Sequence, residues 1–85
     1  PNSVEIIDED AFNSTRLSNI TIPNSVKRIE DYAFNLNYRS NVTQINFEEN
    51  SQLEYIGDSA FSVPKLTSVE IPNSVKHIGN SNFFN

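Results

Sequence analysis

Apolar positions in this 85-residue chain recur in two phrases that alternate from one end to the other. The first reads Val-x-x-Ile, then Ala-Phe: Val4, Ile7, Ala11, Phe12; Val26, Ile29, Ala33, Phe34; Leu53, Ile56, Ala60, Phe61; and Val75, Ile78, Asn82, Phe83. The second carries apolar residues at offsets zero, three and five: Leu17, Ile20, Ile22; Val42, Ile45, Phe47; and Leu66, Val69, Ile71. A polar phrase joins them. Ile22-Pro23-Asn24-Ser25-Val26-Lys27 returns as Ile71-Pro72-Asn73-Ser74-Val75-Lys76, and the chain opens on Pro1-Asn2-Ser3-Val4. From phenylalanine to phenylalanine the steps are 22, 27 and 22 residues. The long step comes from additions near residues 37–40 and 49–52, between the apolar anchors, where loops absorb length cheaply. Self-similarity at such a period predicts a solenoid, in which each unit buries its apolar face against the next. The units run approximately 1–22, 23–47 and 48–71, with 72–85 incomplete.

Side chains alternate across an extended segment. Leu-x-x-Ile-x-Ile therefore points Ile20 and Ile22 inward and Thr21 to solvent. Proline lacks a ladder donor, so Pro23 and Pro72 fit strand ends, and the Pro-Asn-Ser that follows is turn chemistry. Val-x-x-Ile predicts a second short strand on the other side of the coil. Its outward column Glu5, Lys27, Glu54, Lys76 alternates in charge, with strands about 4.8 Å apart, and reads as a register keeper. The next outward column is Ile6, Arg28, Tyr55, His77, which reads as solvated filler. An acid or amide before Ala-Phe (Glu9 or Asp10, Asp31, Asp58, Asn80) resembles a helix cap. It predicts a single helical or 3-10 turn on the convex side. Phe12, Phe34, Phe61 and Phe83 are then the spine of a β-rich solenoid.

Composition narrows the chemistry. Six basic residues against eleven acidic ones give a net charge of −5, which argues against nucleic acid and against anionic lipid. The chain has no cysteine, so disulfides, thiolate metal sites and a cysteine nucleophile are excluded, and one histidine cannot form a histidine metal cluster. No apolar run is long enough to span a bilayer. The absence of an initiator methionine or signal peptide suggests an excised segment of a longer array. Polar caps, which solenoids need for solubility, are missing at both ends. Asn82, standing where the other units have alanine, suggests a frayed end or a unit facing solvent.

These motifs resemble the BspA-like, or Treponema pallidum-type, leucine-rich repeat proteins, whose unit is similar to LxxLxLPxxLxxIxxxAF. The likeness covers nearly the whole chain, with Ala-Phe after Ile its most specific part. Phe47-Glu48 departs from the family's Leu-Pro. The resemblance implies a right-handed leucine-rich-repeat coil with a short-stranded concave parallel sheet, and short strands with single turns on the convex side. It also implies a surface-exposed or secreted protein with roles in adhesion and protein binding, and an extracellular-matrix or host surface protein as the class of partner. The family has no catalytic residues to carry over, so no enzyme activity, metal or cofactor is expected.

Candidate chemistry is correspondingly sparse. Asp8-Glu9-Asp10 lacks the D-x-D-x-D-G spacing of a calcium loop and reads as a solvated turn. His77 and the serines have no base and orienting acid arranged around them in the pattern. Asn13-Ser14-Thr15, Asn19-Ile20-Thr21 and Asn41-Val42-Thr43 match the N-glycosylation pattern, a match expected by chance in a chain with 13 asparagines. A glycan on Asn19 would block the concave face. The better candidates are the outward columns of that face, Asn19, Gln44, Ser68 and Thr21, Asn46, Glu70, since curved solenoids offer such sheets to extended partners. The insertion carrying Tyr38 and Arg39 joins them, because Tyr and Arg are enriched in interface hot spots. The pattern thus predicts a non-catalytic interaction or adhesion module. The alternative is a structural spacer whose open ends self-associate end to end. A carbohydrate-binding accessory domain fits worst, because Tyr32, Tyr38 and Tyr55 fall in different columns.

Overall fold

The computed structural model describes residues 3–83. Seven short strands alternate between two sheets: β1 (Ile6–Ile7), β2 (Ile20–Ile22), β3 (Arg28–Ile29), β4 (Gln44–Phe47), β5 (Tyr55–Ile56), β6 (Ser68–Val69) and β7 (His77–Ile78). The odd strands form a four-stranded sheet in the order β1-β3-β5-β7, and the even strands a three-stranded sheet, β2-β4-β6. Every pairing is parallel. A chain that visits the two sheets in turn and always returns one strand further along is a solenoid-like repeat fold. Each Val-x-x-Ile phrase supplies a rung of the first sheet and each Leu-x-x-Ile-x-Ile phrase a rung of the second, so the register follows the repeat. Ile7 lies against Ile29, Ile29 against Ile56 and Ile56 against Ile78. Ile20 pairs with Ile45, and Ile45 with Val69.

The core lies between the sheets. Ile20, Ile22, Val26, Ile29, Ala33, Phe34, Ile45, Leu53, Ile56, Ala60 and Phe61 are buried, and Thr21 between its two isoleucines is exposed. The phenylalanines form one column. Phe12 and Phe34 stack at 5.0 Å between centroids, Phe34 and Phe61 at 5.3 Å, and Phe61 and Phe83 at 5.7 Å, all within 13° of parallel. Phe47 meets Phe61 edge-on at 6.2 Å. Leu36 and Val63, outside the repeated phrase, are buried as well, each two residues beyond its phenylalanine.

The Asp-x-Ala-Phe segments differ from expectation. No described residue is in a helix or a 3-10 turn. These segments are hydrogen-bonded turns whose third residue is left-handed: Asp10 at φ 61°, Tyr32 at 60°, Ser59 at 53° and Ser81 at 61°. In three of them the alanine N–H closes the turn, from Ala11 to the Asp8 carbonyl at 3.1 Å, Ala33 to Glu30 at 3.3 Å and Ala60 to Gly57 at 3.4 Å. A helical turn would aim its N–H groups along itself. The left-handed residue instead swings neighbouring amides toward the next rung, so Phe12 N–H donates to the Ala33 carbonyl and Phe34 N–H to the Ala60 carbonyl, each at 2.7 Å. The turns therefore form a third backbone ladder beside the two sheets.

The acids read as helix caps do accept backbone N–H groups, but those of the next rung. Asp31 Oδ1 takes the N–H of Asp58 at 2.8 Å, and Asp58 Oδ1 takes that of Asn80 at 2.9 Å. Space for this arrangement comes from glycine. A Cβ on Gly57 would stand 2.7 Å from the Asp31 nitrogen, and one on Gly79 2.8 Å from the Asp58 nitrogen. The serines of the Pro-Asn-Ser phrase tie rungs in the same way, Ser25 Oγ donating to the Val4 carbonyl and Ser74 Oγ to the Leu53 carbonyl, both at 2.6 Å.

Asn82, expected to fray or face solvent, is buried instead. Its Oδ1 accepts the Phe61 N–H at 2.8 Å, and its Nδ2 donates to the carbonyls of Gly57 and Gly79 at 2.8 and 3.1 Å. Every polar atom of the amide has a partner, which removes the desolvation cost that a buried asparagine would otherwise carry.

Candidate functional site

The outer face of the three-stranded sheet brings six of the singled-out residues together. Thr21 lies against Asn46 and Gln44 against Ser68. The same register sets Asn19 beside Gln44 and Glu70 beside Asn46. All six side chains are exposed, and Gln44, Asn46, Ser68 and Glu70 line a shallow groove. Short amide and hydroxyl groups on hydrogen-bonded strands lose little side-chain entropy when a partner engages them. Chemically the surface can donate and accept hydrogen bonds along an extended segment.

Tyr38 and Arg39 stand at one margin of this sheet, on a loop with a rigid base. Asn37 N–H donates to the Thr15 carbonyl at 2.8 Å, and Asn37 Oδ1 accepts the Arg39 N–H at 2.9 Å. Ser40, almost fully buried, donates its hydroxyl to the Leu17 carbonyl at 2.8 Å. Tyr38 at the tip is 69% exposed. The Arg39 guanidinium folds over the Tyr38 ring, 5.5 Å from its centroid, with Nε 3.2 Å from the phenolic oxygen. The buried Ser40 is what fixes the loop base. No repeat position marks it, because the insertion is unique to that unit.

The four-stranded sheet carries a feature that the column pattern conceals. Ile6, Arg28, Tyr55 and His77 are in register, and the last three form a stack rather than loose filler. Arg28 lies 4.1 Å from the Tyr55 ring centroid, and the His77 ring covers the other side of Tyr55 at 4.9 Å and 6°. Glu30 holds the guanidinium at 2.9 Å, and this hydrogen bond raises Arg28 above its ordinary pKa. With both faces of Tyr55 covered, it is no stacking platform for a sugar ring. Of the alternating charges beside this stack, only Lys76 and Glu54 approach, at 4.0 Å.

The remaining candidates are occupied by local contacts. Asp10 accepts the Asn13 side chain at 2.8 Å, and Asn13 also receives the Asn35 amide at 3.3 Å. Asn41 Oδ1 accepts the Lys65 ammonium at 3.1 Å. Among the described residues no group of three His, Cys, Asp or Glu is placed to hold a metal ion, and no helix is long and apolar enough to cross a membrane.

Parallel strands stacked by short repeats, with a polar sheet face left open, define a repeat protein. The chain belongs to the leucine-rich repeat proteins of the BspA type: the family model described as "BspA type Leucine rich repeat region (6 copies)" matches residues 1–85. No curated protein and no solved structure matches the chain. Membership carries a protein-interaction or structural repeat role, in a family that is generally non-enzymatic and suggests a surface or secreted protein.

Proposed function

We propose that this chain is a non-catalytic interaction module of a surface or secreted protein, one that adheres to a protein partner through the three-stranded sheet and its flanking loop. The observation that carries the reading is the in-register pair of polar columns, Asn19, Gln44, Ser68 and Thr21, Asn46, Glu70, exposed on a sheet whose other face is the core. A partner strand laid across these columns, parallel to the strands, meets hydrogen-bonding groups about 6.6 Å apart, the two-residue repeat of an extended chain. Binding to immobilised matrix glycoproteins and collagen tests it, using the parent chain and a Gln44→Lys, Asn46→Lys variant with unchanged circular dichroism. Loss of binding by the variant supports the reading, and equal binding by both removes it.

A second reading is a spacer that stacks end to end. It draws on the open apolar groove at the first rung, lined by Ile7, Phe12, Leu17 and Ile20 among others. Sedimentation across a concentration series separates the two, since a strict monomer at high concentration rules out self-stacking.

A further inference from the structure

The three-stranded sheet is polarised by charge from one margin to the other. Its strands all run in one direction, so residues before the strands collect at one side and residues after them at the opposite side. Before the strands, Arg16, Asn41 and Lys65 occupy one repeat position, directly preceding Leu17, Val42 and Leu66. The bond from Lys65 Nζ to Asn41 Oδ1 shows two of them side by side. Arg39 joins this margin because its loop is tied to the carbonyls on either side of Arg16, those of Thr15 and Leu17. After the strands come Glu70, Glu48 and Glu49, with Glu48 and Glu70 lining a cleft.

The basic margin is unneutralised. Among the described residues the ion pairs are Arg28–Glu30 and Lys76–Glu54, both on the other sheet. Half of the six basic residues of a chain with net charge −5 thus stand together without a carboxylate partner. The Arg39 guanidinium lies over the Tyr38 ring and within 3.2 Å of its hydroxyl, a contact that turns it along this margin. Between the margins lies the neutral column Asn19, Gln44, Ser68, and Glu70 stands one column further on, beside Asn46. From position 41 to position 46 is five residues, on the order of 16 Å of extended chain.

We infer that this sheet docks an extended peptide with carboxylates at one end and basic residues about five positions away. The carboxylates meet Arg16, Arg39 and Lys65, and the basic end meets Glu48 and Glu70. This rests on the preceding functional reading and specifies its partner. A long polyanion is the poorer fit, because crossing the sheet would set its charges against Glu48, Glu49 and Glu70.

The test is fluorescence anisotropy with the whole chain and three labelled synthetic peptides of one length. One carries Asp-Glu, four alternating Ser and Thr residues, then Lys-Lys; one has the charges replaced by Gln and Asn; one is acidic at both ends. The bipolar peptide is expected to bind at least tenfold tighter than either other peptide at low salt. Arg39→Glu with Lys65→Glu, both exposed positions, is expected to erase that preference, and added salt to weaken it. Absence of bipolar binding, an unaffected charge-reversed variant, or tighter binding of heparin than of the bipolar peptide each overturns the inference. The matrix-binding assay separates the two claims. If the sheet variant loses matrix binding while the charge-reversed variant keeps it, this inference fails and the module reading stands. If neither variant loses binding, both fail.

Discussion

Asn82 presents its side-chain amide to Phe61 in place of a peptide group. Its Oδ1 accepts the Phe61 N–H at 2.8 Å, where the Phe12 and Phe34 N–H groups use the backbone carbonyls of Ala33 and Ala60. Its Nδ2 reaches the Gly79 carbonyl, the bond that the alanine N–H makes in the earlier turns. One carboxamide therefore supplies the acceptor of the ladder bond and the donor of the turn-closing bond. Asn82→Ala is expected to destabilise by about 1–3 kcal/mol, since it strips partners from buried backbone groups. Urea denaturation measures this. A gain in stability would mean that the residue 82 backbone reverts to the alanine-type ladder.

The phenylalanine column makes a graded prediction. Phe34 and Phe61 are buried between neighbours, while Phe12 is 39% exposed with a stacking partner on one side. Phe34→Ala is expected to cost about 3–5 kcal/mol, and Phe12→Ala clearly less. Equal losses at the two positions in thermal melts would contradict a continuous spine.

Asp31 and Gly57 work as a pair across one rung. Asp31→Ala removes the bond to the Asp58 N–H and is expected to cost about 1–2 kcal/mol, as loss of a helix cap does. Asp31→Asn should restore most of it. Gly57→Ala forces a Cβ to within 2.7 Å of the Asp31 nitrogen and is expected to cost about 1–3 kcal/mol. Denaturant midpoints near the parent value for both would show that the rungs are not spaced by this contact.

Tyr32 sits at φ 60° with its side chain 42% exposed. A left-handed backbone costs a bulky residue roughly 1–2 kcal/mol, and asparagine tolerates it better. Tyr32→Asn is therefore expected to raise the thermal midpoint by a few degrees. A fall would assign the ring a packing role larger than the strain.

Lys76 and Glu54 are both mostly exposed and 4.0 Å apart, and such pairs contribute about 0–1 kcal/mol. Lys76→Ala should change stability by less than about 0.5 kcal/mol, measured in low and moderate salt. A larger, salt-sensitive loss would restore the register-keeping role that the alternating charges suggest.

The register of both sheets, the inward isoleucines and the phenylalanine column were legible in the residue pattern. Each depends on one residue type recurring at one offset, and burial makes that recurrence obligatory: a one-residue slip would turn Ile20 and Ile22 to solvent. For the same reason the polar columns of the sheet face could be placed from Asn19 to Glu70.

Contacts between unlike residues of different rungs were decided only in three dimensions. Arg28 with Tyr55 and His77, and Asn82 with Phe61, join residues 21 to 27 positions apart whose identities do not repeat. The turns were misread because the same Asp-x-Ala-Phe string suits a capped helix or a left-handed turn. Nothing local to the string separates them; the neighbouring rung, offering carbonyls to the Phe12 and Phe34 amides, selects the second. The clustering of Arg16, Arg39 and Lys65 is likewise a property of parallel stacking, which gathers at one margin charges that lie far apart along the chain.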